Sequence, residues 1–210
     1  MKNVQRTVLN CLLGALTCLF LVGVSSPAFS HTATPAAPAT AQATSLPASL
    51  EALATNLKSA ESTLLAQGMS SGGMMSYGAI LRPANVVPNT PMSMARGAVG
   101  AVLSGNRLVV RGSFNNLSSS LRDYATDPVN PPNPNITSAF HIHRGMPSEN
   151  GPFQYALQVM MNDSGMGGMA MGEYTLTEEQ LQALNNGMLY VDLHTTRNRA
   201  GELRGILMPY

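Results

Sequence analysis

The sequence predicts a mostly β domain, a sandwich of short strands preceded by one helix and interrupted by another. Three observations carry this. Apolar and polar residues alternate in short runs over the C-terminal two thirds of the chain, at the period of a half-buried strand. Glycine, asparagine and proline punctuate these runs, with Gly105-Asn106 placed as a hairpin turn between "GAVGAVLS" and "RLVVRGSFNNL". Helical spacing is confined to two segments.

Residues 1–30 read as a secretory signal peptide. Lys2 and Arg6 precede an apolar run from Val8 to Val24, and Ala28-Phe29-Ser30 closes an A-x-A-like cleavage site. Export to the periplasm or the exterior follows; a retained N-terminal anchor is the alternative. Both cysteines, Cys11 and Cys18, fall within the signal, so disulfides, thiolate metal sites and cysteine nucleophiles are excluded from the mature chain. Cleavage also removes two of the 12 basic residues, leaving 12 − 2 = 10 against 11 acidic ones, a net charge of −1. Nothing in that balance draws the mature protein to nucleic acid or to an acidic membrane surface.

Residues 31–47 are a linker of Ala, Thr and Pro with almost no large apolar side chain to repay ordering. Cleavage after Ser30 would make His31 the mature N-terminus, where amine and imidazole can chelate Cu(II). A helix is expected over 48–68, with Leu50, Leu53, Leu57 and Leu64 at helical spacing and Gly68 as terminator. Its 48–67 face would lie against the domain or a protein partner. Further strand-like runs follow at "SAFHIHRG", "FQYALQVMM", "MLYVDLHT" and "GELRGILM". Between them "TLTEEQLQALNNG" offers Thr177 and Gln180 as a capping box and Gly187 as a stop, hence a short inserted helix.

The runs "FHIHRGMPSENGPF" and "GEYTLTEEQLQALNNGMLYVDLHTTRNRAGELRGILMP", with the earlier "YGAILRPANVVPNTPMSMARGAVGAVLSGNRLVVRGSFNNL", resemble the CHRD domain of chordin and many bacterial exported proteins. The likeness covers about residues 77–208, within a domain of 77–210. It implies an all-β, Greek-key, immunoglobulin-like or superoxide-dismutase-like β-sandwich and no single activity. Where the family usually carries Asn in its late strand this chain has Asp192, a carboxylate on the same strand face as His194. The segment "RDYATDPVNPPNPNIT" reads as an insertion ahead of the histidine strand.

His141 and His143 are one residue apart in a strand, so they share a face with Cα atoms about 7 Å apart. If the strands over 137–143 and 188–195 are neighbours, as the resemblance implies, His194 converges on them. Three imidazoles suit zinc or copper; hydrogen-bonded packing of the loop "RGMPSENGP" is the alternative. Methionines also cluster, above all Met160, Met161, Met166, Met169 and Met171 in "MMNDSGMGGMAM", where the Gly, Ser, Asn and Asp around them suggest a loop. Thioether sulfur is soft and selects Cu(I). The sequence therefore points to an exported metal-binding protein, with periplasmic copper binding or tolerance the main reading. His141, His143 and His194 would form an ordered site supplied by the methionine loop.

Zinc or manganese are alternative occupants, with Asp192, Glu149 or Glu202 as oxygen ligands for the harder ion. Two rival functions stand beside metal binding: a metal-free structural or interaction module, and a metal-dependent hydrolase or dismutase-like enzyme. No G-x-S-x-G element, phosphate-binding glycine loop or glycosidase-like carboxylate pair is present, so no catalytic residue is assigned. Arg204 and Glu202 in "GELRG" read as an i, i+2 ion pair or a solubility device on an edge strand, and Arg144 as a solvated loop residue.

Overall fold

The computed structural model describes residues 47–210. The expected signal peptide, His31 and the expected linker up to residue 46 lie outside the described residues.

The first element, α1 (Ala48–Ala66), buries Leu53, Leu57, Ala60 and Leu64 against Ala98, Val102 and Val109 of the sheet beneath it. Each leucine so buried stabilises the docking by about 1.5–3 kcal/mol. Close approach depends on Gly100, where a Cβ would stand 2.6 Å from the Leu57 nitrogen. The helix stops at Gly68, whose φ of +83° permits a Schellman closure. There the Met69 N–H donates to Leu64 O at 3.1 Å and the Gly68 N–H to Leu65 O at 3.0 Å. The apolar face that would meet the domain or a partner is thus occupied by the domain's own sheet.

Ten strands follow. In chain order they are β1 (Met74–Leu81), β2 (Arg96–Ser104), β3 (Arg107–Asn115), β4 (Phe140–Arg144) and β5 (Phe153–Ala156). Then come β6 (Gln158–Met161), β7 (Gly168–Thr175), β8 (Leu189–Leu193), β9 (Leu203–Ile206) and β10 (Met208–Pro209). They pair antiparallel in two sheets, β10-β1-β2-β3-β7-β6 and β5-β4-β8-β9. The all-β sandwich expected from the alternating runs is therefore present. Its core sits between the sheets, where Tyr77, Leu81, Val99, Leu108 and Val110 meet Phe140, Ile142, Val191, Leu193 and Leu203. The second helix, α2 (Glu178–Asn185), carries the expected capping box, Thr177 Oγ1 accepting from the Gln180 N–H while the Gln180 side chain accepts from the Thr177 N–H.

Three local expectations need correction. The run "FQYALQVMM" is two strands in different sheets: the chain changes sheet at Leu157, whose N–H donates to Phe140 O at 2.8 Å. The methionine segment is a hairpin, β6 to β7, with Met166 alone of the five in its turn; pairing with β3 on the far side of β7 overrides the loop-like composition. Arg204 and Glu202 are both fully buried rather than displayed on an edge.

Because Phe140, Ile142, Val191 and Leu193 point inward, their alternates point outward. His141, His143, Tyr190 and Asp192 therefore lie on the outer face of the four-stranded sheet.

Candidate metal centre

Pairing of β4 with β8 places His141 directly opposite Asp192 and His143 opposite Tyr190. His194 follows one step beyond β8, its N–H donating to Ala139 O at 2.9 Å. Two alternating pairs on adjacent strands thus converge. One ligand atom from each of His141, His143, Asp192 and His194 can be chosen so that all lie within 4.8 Å of one another.

Asp192 Oδ1 is the hub. It lies 3.0 Å from His194 Nε2, 3.2 Å from His143 Nε2 and 3.9 Å from His141 Nδ1. The outward nitrogen of every ring is held by a backbone carbonyl: His141 Nε2 by Ser138 O at 2.5 Å, His143 Nδ1 by Gly151 O at 3.1 Å and His194 Nδ1 by Arg199 O at 3.0 Å. A carbonyl only accepts, so these nitrogens carry the ring protons. The three nitrogens facing Asp192 meet a carboxylate that likewise only accepts, and His194 Nε2 hydrogen-bonds its Oδ1 at 3.0 Å, so each of them needs a proton or a cation there. Two of them, His141 Nδ1 and His143 Nε2, are buried and make no hydrogen bond, the latter being near Oδ1 but out of line.

Four electron-rich atoms facing inward require positive charge between them. Protons are one source and a metal ion is the other. A tetrahedral ion with bonds of 2.0–2.2 Å sets its ligand atoms about 3.3–3.6 Å apart; the three nitrogens stand 3.0–3.9 Å from Asp192 Oδ1, and all four atoms lie within 4.8 Å of one another. The residues therefore fit a metal ion. Histidines oriented through their second nitrogen by a carbonyl are the usual support for such a site.

The surroundings seal and balance the cluster. Asp192 Oδ2 accepts from Arg204 Nη2 at 3.3 Å, and that guanidinium lies over the Tyr190 ring at 4.1 Å while also donating to Glu149 O and Asn150 Oδ1. Tyr190 stacks on His143 with ring centroids 5.2 Å apart, Phe153 packs edge-on against His141, and Tyr124 covers His141 and His194. Burial, with His194 nearby, pushes the His141 ring down to about 3, which keeps it neutral. Burial also opposes the charged forms of His143 and Asp192, yet their proximity overrides it: His143 is raised, and His194 and His143 together hold Asp192 well below the usual carboxylate range.

The three histidines thus meet, and Asp192 joins them. The five methionines do not. Met169 and Met171 sit beside the outward-facing Ser113 and Arg111 of β3, on the outer face of the six-stranded sheet, with Met160 opposite Met169. The histidines occupy the outer face of the other sheet, so the full sandwich separates them from Met160, Met169 and Met171, while Met161, opposite Gly168, alternates to the other face of β6 and Met166 lies in the turn. Glu149 accepts from the Met146 N–H and Glu202 from a set of hydroxyls, so neither reaches the cluster; Arg144 pairs with Glu179. Sequence reasoning did not find Tyr124, Phe153, Tyr190 or Arg204. Tyr124 had a signal, since it lies in the insertion ahead of the histidine strand.

These features define an antiparallel β-sandwich that carries a closed, three-histidine and one-carboxylate cluster able to hold a metal ion. Residues 77–207 match the CHRD domain, and the chain belongs to that family. No curated protein and no solved structure matches it.

Proposed function

We propose that this is an exported metal-binding protein, periplasmic or secreted, whose ordered site holds one divalent ion through His141, His143, His194 and Asp192. The observation that carries the reading is the convergence of three imidazole nitrogens on one carboxylate oxygen, each ring fixed from behind by a carbonyl. Three borderline nitrogens and one oxygen suit Cu(II) or Zn(II), and in the order of divalent affinities copper binds more tightly than zinc and manganese most weakly. Copper is therefore the favoured occupant on affinity, and zinc, which the tetrahedral spacing suits, its competitor.

Closure of the site supports retention of the ion over turnover. His141, Asp192 and His194 are buried and His143 nearly so, and four protein ligands with no open position are the mark of a structural site. Binding of this kind links to folding, since the ion occupies the native arrangement alone.

Titration of the mature chain, residues 31–210, with Cu(II) and separately with Zn(II) tests the reading. One tight equivalent is expected, and His143→Ala should weaken it by more than about 100-fold, beyond the 10–100-fold typical of losing a supporting residue. Unchanged affinity in His143→Ala would sink the site.

A further inference from the structure

Among the described residues the large apolar side chains left exposed are Leu50, Leu65, Tyr210 and nine methionines: Met75, Met92, Met94, Met146, Met160, Met161, Met166, Met169 and Met208. A patch built to dock an apolar partner would draw on Leu, Ile, Val and Phe as readily as on Met. Here sulfur is what the surface displays. Four of these nine belong to the β6–β7 hairpin.

Register sets three of the hairpin methionines side by side. Met160 is the direct cross-strand partner of Met169, and Met171, facing Gln158, is the next residue on the same face of β7. Directly paired side chains have Cβ atoms about 4.5–5.5 Å apart, and diagonal neighbours such as Met160 and Met171 lie about 7–8 Å apart. Each thioether has three rotatable bonds with which to close that gap. The neighbouring strip of the face is covered by α1, where Asn56 binds Ser113 and Thr63 receives Arg111. The methionines occupy the strip beside it, next to the sheet edge. Met160 is 48% exposed and Met169 57%, with Met171 half-buried beside them, so solvent reaches the group.

We infer that Met160, Met169 and Met171 form a second, separate site for a soft monovalent ion, Cu(I), on the outer face of the six-stranded sheet. Uncharged thioethers select Cu(I) over harder divalent ions, and no cysteine among the described residues competes for it. This site is independent of the histidine cluster and remains even if that cluster holds no metal.

The test uses the mature chain and Ag(I) as a redox-silent probe of soft sites, repeated with Cu(I) under anaerobic conditions. The wild type should take up Ag(I) and shift the methyl NMR signals of Met160, Met169 and Met171 together. The combined variant Met160→Leu, Met169→Leu and Met171→Leu keeps side-chain volume. It should lose one equivalent while retaining the wild-type circular dichroism and the Cu(II) or Zn(II) equivalent of the histidine site. The single variant Met169→Leu should weaken Ag(I) at least tenfold. Asp192→Asn should leave Ag(I) binding intact, which separates failure of this site from failure of the other. No Ag(I) uptake by the wild type, or uptake unchanged in the leucine variants, would overturn the assignment.

Discussion

Replacing Asp192 with alanine should destabilise the metal-free protein by about 3 kcal/mol and abolish the tight divalent equivalent. The first effect comes from Arg204. Its guanidinium is 1% exposed and, among the described residues, has Asp192 Oδ2 as its only carboxylate, and removing one partner of a buried pair costs about 3–5 kcal/mol. The lower end applies because Glu149 O, Asn150 Oδ1 and the Tyr190 ring remain. The second effect comes from the lost oxygen ligand. Asp192→Asn separates the two, since the amide oxygen still accepts from Arg204. It should fold nearly as well as wild type and bind the ion more weakly. Chemical denaturation with and without Zn(II) reads both outcomes, and equal metal stabilisation of all three proteins would exclude Asp192 from the site.

Glu202→Ala should cost about 3 kcal/mol through stranded donors, the upper end of the range of about 1–3 kcal/mol for a buried unsatisfied group, because several donors lose their acceptor at once. Fully buried ahead of β9, the Glu202 carboxylate accepts from Ser93 Oγ at 2.5 Å, the Ser118 N–H at 2.7 Å, Ser118 Oγ at 2.9 Å and Thr195 Oγ1 at 2.6 Å. It ties together the segments before β2, after β3 and after β8. The last of these holds Arg199, whose carbonyl orients His194. Burial pushes the carboxyl up, but Ser93, Thr195, Ser118 and Asn198 together hold it below its ordinary value of 4.5. A depressed carboxylate contributes stability that is present above the unfolded-state value and lost as pH falls through the folded one. Wild-type stability should therefore decline with acidification below about pH 4.5, and Glu202→Gln should remove that part of the slope. An identical pH profile in Glu202→Gln would rule out this carboxylate as its source.

Much of the fold was readable from period and punctuation. Leu53, Leu57 and Leu64 of α1, the Gly105-Asn106 turn and the Thr177 capping box each follow from local chemistry that tertiary contacts reinforce, while Leu50 of the same spacing stays exposed. What escaped was decided by neighbours distant in sequence. The segment Gly168–Thr175 has the glycine and methionine content of a loop, yet it is a strand because β3 and β6 pair with it on either side. The break at Leu157 leaves no trace in an unbroken apolar run, since a change of sheet alters the partner and not the period.

The site was legible to the same degree. Alternation placed His141 and His143 on one face, and the family likeness supplied the β4–β8 adjacency that brings His194 and Asp192 to them. Arg204 was misread because its partner is set by register, Asp192 facing Arg204 across β8 and β9, and register is invisible in one strand alone. The methionines were joined to the histidines on softness of ligand and a shared metal. The two sheets place Met160, Met169 and Met171 on the outer face opposite to that of the histidines.

X-ray absorption at the metal edge, on protein loaded with one equivalent of Cu(II) or Zn(II), tests the central claim most directly. A first shell of three imidazole nitrogens and one carboxylate oxygen without sulfur is the result this account requires. A shell containing sulfur, or one with fewer than three imidazoles, would contradict it.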